Sequence, residues 1–114
     1  MARLGQKVDD PDQYIAFFGL RSYGKLGNEF VTEQIYVHSK LMIVDDRICL
    51  IGSANINDRS LRGDRDSEVA VLIEDSEFIQ GEMNGVKVSV GRFSHAFRMQ
   101  LMSEHLGEPC ELDP

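Results

Sequence analysis

The sequence predicts an α/β chain of the α+β kind: a mixed sheet built round a central hairpin and closed by one C-terminal helix. Three observations carry that prediction. Two apolar runs, Leu41 to Val44 and Ile48 to Ile51, flank the adjacent carboxylates Asp45 and Asp46, which suit a tight turn and are costly inside a sheet. Val69 to Ile73 is an unbroken β-branched and aliphatic run, the pattern of a strand covered on both faces. Phe93, Phe97 and Leu101 recur at steps of four with Ala96 beside them, the spacing of one helical face packed on a core.

Taken in order, residues 1–13 read as a polar N-terminal segment, with Asp9-Asp10-Pro11-Asp12 as a turn or linker. Tyr14 to Leu20 reads as a strand, because the run is short and Gly19 would weaken a helix interior. Arg21 and Tyr23 follow, as a solvated strand end and an edge aromatic or as contacts to a polar ligand, and a loop runs through Gly27-Asn28. Phe30 to Val37 leads into the central strand. After Asn55 the text INDRSLRGDRD is polar and reads as a loop over one end of the sheet. Glu74 to Gly85 is acidic and turn-like, with Asn84-Gly85 as a turn pair. Val86, Val88 and Val90 alternate with Lys87 and Ser89 as a short exposed strand. The helix spans Gly91 to Leu106, stopped by Gly107 and Pro109, and residues 107–114 form an acidic tail. Strands apolar on both faces call for helices on both sides, and this chain offers one.

Composition narrows the function classes. A chain of 114 residues forms one domain with a modest core, and 42% hydrophobic with 27% charged residues is the balance of a folded protein. A net charge of -7 argues against nucleic acid as a partner, since phosphate backbones need clustered Lys and Arg. No apolar run approaches the ~20 residues that cross a bilayer, and the N-terminus lacks a secretory pattern, so no transmembrane segment is expected. Contact with a membrane surface stays open. Cys49, within an apolar run, and Cys110, in the tail, make no disulfide framework and suit a reducing compartment, with Cys49 as a core thiol. His95 and His105 stand ten apart with no Cys or carboxylate pair at ligand spacing. They read as surface or helix-end histidines, and no metal is expected.

The chemistry concentrates between Ile35 and Ser60, in IYVHSKLMIVDDRICLIGSANINDRS. In an extended strand residues two apart share a face, so His38 and Lys40 would point together, with Leu41 and Ile43 directed the other way. Ser53 and Asn55 form a second such pair after Gly52. If the hairpin takes the simplest register, these four side chains converge, and they suit a phosphate. Lys40 supplies fixed positive charge, Ser53 and Asn55 supply neutral donors, and His38 titrates near neutrality and can act as nucleophile or acid. Glu68 is a candidate to accept a hydrogen bond from His38 and hold its ring. Asp45 lies seven residues from His38, an odd separation that points it to the other face, so it reads as a structural residue that closes the turn or pairs with an Arg.

As a whole, His38-x-Lys40-x4-Asp45 followed by x6-Gly52-Ser53-x-Asn55 resembles the signature of the phospholipase D superfamily. YVHSKLMIVDD with IGSANINDRSLRGDRDSEVAVLIED is similar to the second, C-terminal signature half of the eukaryotic phosphatidylcholine-specific phospholipases D, and YIAFFGLRSYG and NGVKVSVGRFSHAFRMQL look like their flanking sequence. The resemblance implies a partial phospholipase D-like catalytic domain over residues 14–106. It implies hydrolysis of phosphatidylcholine to phosphatidic acid and choline through a phosphohistidine, with no metal or other cofactor, and with alcohol able to replace water. It gives His38 the role of acid to the leaving alcohol and then base for water. Lys40 and Asn55 match phosphate-binding positions, and Ser53 matches the hydroxyl of that segment. Glu68 falls where an acidic residue orients a motif histidine, and Asp45 falls at the motif aspartate, away from substrate. It implies a phospholipid substrate at a membrane surface, a cytoplasmic parent enzyme peripherally bound to that membrane, and regulation by a small GTPase or phosphoinositide only through regions outside this chain. The family's site lies between two such halves, and this sequence carries one His-x-Lys pair. The second half therefore has to come from further sequence or another chain. The alternatives are a non-catalytic fragment that packs against or interferes with a catalytic half, or another phosphodiesterase or phosphatidyltransferase of the superfamily.

Overall fold

Seven strands, a C-terminal helix and two short helical turns make up residues 10–108, the part of the chain that a computed structural model describes. They divide between Tyr36 and Val37 into two units. In the first, Asp10 caps a helical turn at Pro11–Gln13 through the backbone N–H of Asp12. Two antiparallel strands follow, β1 (Arg21–Leu26) and β2 (Glu29–Gln34). Their two-residue turn places Gly27 at φ 63°, a conformation that glycine takes without steric cost. The expected loop is thus the tip of a hairpin. Tyr14 to Leu20, expected as a strand, is irregular. Apolar composition makes a strand only where a neighbour takes the backbone groups, and here the hairpin ladder reaches no further than Leu20, whose carbonyl accepts the N–H of Ile35 at 2.9 Å.

The second unit holds the central hairpin. Strands β3 (Lys40–Val44), β4 (Ile48–Gly52) and β5 (Ala70–Glu74) form an antiparallel sheet in that order. Between β3 and β4, Asp45 and Asp46 both take positive φ, 51° and 50°, and Arg47 N–H donates to the Val44 carbonyl at 3.0 Å. The paired carboxylates make the turn that their sequence promised. After α1 (Asp58–Leu61) and β5 comes a second hairpin, β6 (Phe78–Met83) and β7 (Val86–Gly91), and then α2 (Arg92–Leu106), closed by Gly107 at φ 72°. The acidic stretch after Glu74, expected as turn, is therefore largely strand. β6 gains its partner from the Asn84-Gly85 turn, whose residues sit at φ 49° and 77°. The α+β fragment with a central hairpin and a C-terminal helix is what the structure holds, with its strands shared among three antiparallel sheets in place of one mixed sheet.

Register decides the faces. Ile43 pairs with Cys49 and Cys49 with Ile73, and on this face Cys49 is fully buried, its Sγ 3.3 Å from Ser94 Oγ of α2. Cys49 is the core thiol expected, while Cys110 and Pro109 lie outside the described residues. The opposite face carries Met42, Leu50 and Leu72, and Leu72 remains 59% exposed. Cover on both faces was expected for β5, and within its own unit the strand stays open at Val71 and Leu72. Val90, expected on an exposed strand, is 1% exposed, packed with its side chain 2.8 Å from the place a Cβ on Gly81 would occupy.

Two carboxylates fasten α2 to this unit. Asp75 accepts the backbone N–H groups of Phe93 and Ser94, both at 2.9 Å, and the Ser94 hydroxyl, which caps a helix whose own N-cap residue, Gly91, has no side chain. A Cβ at Gly91 would stand 2.4 Å from Asp75, so the cap requires glycine there. Asp46, 2% exposed, accepts from Arg98 Nη2 and His95 Nδ1, both at 2.7 Å, and from Arg98 Nε. Burial is the largest influence on Asp46 and would raise its pKa. The hydrogen bonds of Arg98 and His95 together with their charges outweigh it and hold the carboxyl below its ordinary value. His95 is therefore partly buried and paired, where the sequence read it as a surface residue; the signal lay 49 residues away in Asp46.

The buried Asp46 yields a stability prediction. Arg98→Ala leaves that carboxylate short of its principal partner and should lower the unfolding free energy by roughly 2 to 3 kcal/mol. Because the folded pKa of Asp46 is depressed, its contribution is complete above the unfolded value and fades as pH falls through the folded one. Urea unfolding at neutral and acidic pH checks both, and the gap between variant and parent should narrow in acid.

Candidate functional site

Lys40 and Gly52 are paired at one end of the hairpin, and Gly52 is paired with Ala70 of β5. The chain enters that end through His38 and leaves it through Ser53 and Asn55, and it returns through Glu68 into β5. A Cβ on Gly52 would lie 2.9 Å from both Ala70 Cβ and the Val69 carbonyl, so the glycine lets β5 close on β4 at the point where the polar residues gather. The result is a pocket of about 520 Å³ lined by His38, Lys40, Ser53, Asn55 and Glu68, with Asn57, Arg59, Ser60, Asp66 and Ser67 completing its wall. The four side chains that the sequence placed together do share this pocket, and Glu68 joins them.

His38 reaches the pocket differently from the expectation. β3 begins at Lys40, so His38 lies in the extended lead-in and does not share a strand with Lys40. The Lys40 ammonium donates to the His38 carbonyl at 2.6 Å, which pins the two residues to each other. An ammonium has three donors, so two remain for an anion. Asp45 sits in the turn at the opposite end of β3 and is absent from the pocket lining.

Glu68 is the hub of the polar wall. The Ser53 hydroxyl donates to Glu68 Oε2 and accepts the Val69 N–H at 3.0 Å. The Ser53 hydroxyl first, then the nearby Ser60 hydroxyl and the Lys40 charge, hold the Glu68 carboxyl below its ordinary value of 4.5 against the opposing effects of desolvation and of Asp66. With its single proton on Glu68, the Ser53 hydroxyl serves the carboxylate, and Lys40 and the Asn55 amide are the donors left facing the pocket. Arg59 and Asp66 face each other in a two-pronged pair at 2.8 and 3.2 Å, which raises the guanidinium pKa and neutralises both charges.

The residues between Asn55 and Asp66 escaped the sequence reading, which took them as a covering loop. They hold a turn of helix, α1, capped by Asn57, whose Oδ1 accepts Ser60 N–H at 3.1 Å. An Asn three residues before a Ser is the detectable trace of that cap. Among the described residues no three His, Cys, Asp or Glu side chains gather as a metal site. None of the described helices is long and apolar enough to cross a membrane.

Comparison with known proteins agrees with this geometry. A family model described as phospholipase D matches residues 20–114. The chain is 61% identical over 108 residues to phospholipase D zeta 2 of Arabidopsis thaliana, covering 93% of this chain and 10% of that protein. It is 52% identical over 107 residues to phospholipase D1 of Schizosaccharomyces pombe, covering 92% of this chain and 8% of that protein. Phospholipase D2 of Bos taurus is 56% identical over 94 residues, covering 82% and 10%. The chain spans about a tenth of the length of these curated relatives.

The hub makes the pocket sensitive to acid. A depressed carboxyl pKa means that the bond from Ser53 keeps its full strength as pH falls to 4.5 and weakens below it, as Glu68 takes up a proton. The protection of the Val69 amide against exchange, taken relative to its intrinsic rate at each pH, should fall in acid in the parent chain. In Glu68→Gln the acid step should vanish.

Proposed function

The chain belongs to the phospholipase D family, and from that premise we propose that it supplies one half of a site that hydrolyses the phosphodiester of phosphatidylcholine at a membrane surface. The observation that carries the proposal is the meeting of His38, Lys40, Asn55 and Glu68 in one pocket, a proton-transfer group beside donors for a phosphoryl oxygen.

In the first step an imidazole from a second motif, on further sequence or another chain, attacks phosphorus. The P–O bond to choline breaks, and His38 gives its proton to the leaving oxygen. In the second step His38 takes a proton from water as the water attacks phosphorus. The P–N bond of the phosphohistidine breaks, and phosphatidic acid departs. An alcohol entering in place of water gives a transphosphatidylation product. Lys40 and the Asn55 amide bind the non-bridging oxygens, whose negative charge grows as the phosphorus becomes five-coordinate. Glu68, its carboxyl held below its ordinary value, stands near Lys40 in the pocket wall. Asp45 stays clear of these steps at the turn. With one His-x-Lys pair, this chain catalyses only when a second half completes the pocket.

The experiment is choline release from phosphatidylcholine vesicles by an enzyme that contains this chain's sequence beside its second half. His38→Ala should lower turnover by about 10³-fold, the size of a lost general acid. Turnover equal to the parent's would remove His38 from the mechanism. The 114-residue chain alone should release none.

A further inference from the structure

Arg21 and Tyr23, which the half-site leaves unused, stand in a hairpin whose register sorts charge by face. Cross-strand partners share a face and neighbours along a strand alternate, so Arg21, Tyr23 and Lys25 of β1 stand with Gln34, Thr32 and Phe30 of β2. The other face takes Ser22, Gly24 and Leu26 with Glu33, Val31 and Glu29. Both cations of the ribbon therefore lie on one side and both carboxylates on the other. The aromatic rings go with the cations. Tyr23 is 86% exposed and Phe30 82%, and Lys25 Nζ stands 5.2 Å from the centre of the Phe30 ring.

Among the described residues β1 and β2 pair only with each other, and a ribbon of that kind has no second layer of its own in which to bury two rings. Tyrosine and phenylalanine beside arginine and lysine suit the boundary between lipid head groups and hydrocarbon. There the rings enter the apolar edge, while the basic side chains lay their stems along it and carry their charge back to phosphate. The chain as a whole, at a net charge of -7, is repelled by an anionic surface. Separation of the charges opens one orientation of approach, with Glu29 and Glu33 turned away, because the pull on Arg21 and Lys25 acts within a Debye length, ~8 Å at physiological salt.

We propose that the face built on Arg21, Tyr23, Lys25 and Phe30 is a contact surface for an anionic lipid bilayer. Residues 35–37 are all that separate β2 from His38, so the ribbon tethers to that surface the half-site whose proposed substrate is a lipid. The contact requires no chemistry at the half-site, and it stands or fails apart from the phosphodiesterase reading.

Sedimentation of the 114-residue chain with vesicles measures the contact. Phosphatidylcholine vesicles containing about one-third phosphatidylserine should bind the chain, pure phosphatidylcholine far more weakly, and added salt should release it. Arg21→Gln with Lys25→Gln should lower the association constant about 30-fold, since each basic residue at an anionic surface is worth about fivefold. Arg62→Gln with Arg65→Gln removes the same charge from the loop after α1 and should leave binding within about twofold of the parent. Tryptophan, which the sequence lacks, tells the two faces apart. The emission of Phe30→Trp should move to the blue on anionic vesicles, and that of Val31→Trp, on the acidic face, should not.

Equal losses in the two paired Gln variants, binding indifferent to salt, or equal emission shifts at residues 30 and 31 would overturn the proposal. So would Phe30→Trp emission that is already blue in the two-half enzyme without lipid, because protein would then cover the face. Should Arg21→Gln with Lys25→Gln unfold the ribbon, salt dependence and the two tryptophan variants still decide, since they keep both cations in place. Choline release that ignores His38→Ala would remove the phosphodiesterase reading and leave this contact standing.

Discussion

The pairing of Gly52 with Lys40 on one side and Ala70 on the other decides where every pocket side chain lies. A slip of one residue along β4 would turn Ser53 to the opposite face and carry Cys49 out from under α2. The glycine makes the true register possible, since any side chain there would strike Ala70 and the Val69 carbonyl. Closeness of β4 and β5 at that point is also what brings Glu68, just before β5, within reach of Ser53, just after β4. One missing side chain therefore sets both the strand order's compactness and the placement of the carboxylate hub.

The two ends of the same sheet are built on opposite principles. At the turn end, Asp46 and Asp75 are committed to structure: one holds Arg98 and His95, the other caps α2, and each has its acceptor capacity filled from within the unit. Arg47 adds a third tie, its guanidinium donating to the Ser89 carbonyl at 2.8 Å and lying over the Phe78 ring. At the pocket end Glu68 and Arg59 are exposed and Lys40 is half-buried, with two of its donors unspent by the His38 carbonyl. Rigidity at the turn end lets β3 and β4 act as a lever that presents the pocket end in fixed geometry. The polar end can afford solvent-exposed groups because the register is secured elsewhere.

Legibility in the sequence followed the range of the interaction. The β3–β4 hairpin, its Asp45-Asp46 turn and the α2 helix rest on contacts within a few residues, and alternation, paired carboxylates and a four-residue stripe disclosed them. The convergence of His38, Lys40, Ser53 and Asn55 was legible for the same reason, since a hairpin register converts sequence separation into position. His38 itself shows the limit: it was expected on one strand face with Lys40, and it lies before the strand, with its main-chain carbonyl accepting from the Lys40 ammonium. What stayed hidden depended on distant partners. Asp46 meets residues 49 and 52 positions away, and nothing near His95 announces it. Tyr14 to Leu20 had the composition of a strand and lacked the neighbour that would make it one. β5 had the composition of a strand covered twice, and within its own unit it stays open at Val71 and Leu72.

The presence of a carboxylate in a pocket suited to an anion looks at first like a contradiction, and the hydrogen-bond directions resolve it. Had Glu68 been absent, the Ser53 proton would be free to rotate, and the hydroxyl would have to be ordered anew when an anion arrived. Glu68 fixes it in advance by accepting it, and the Ser53 oxygen then holds the backbone N–H of Val69. An anion site gains more from an ordered wall with one acid inside it than it loses to that acid's charge, which is the condition under which preorganisation lowers a barrier.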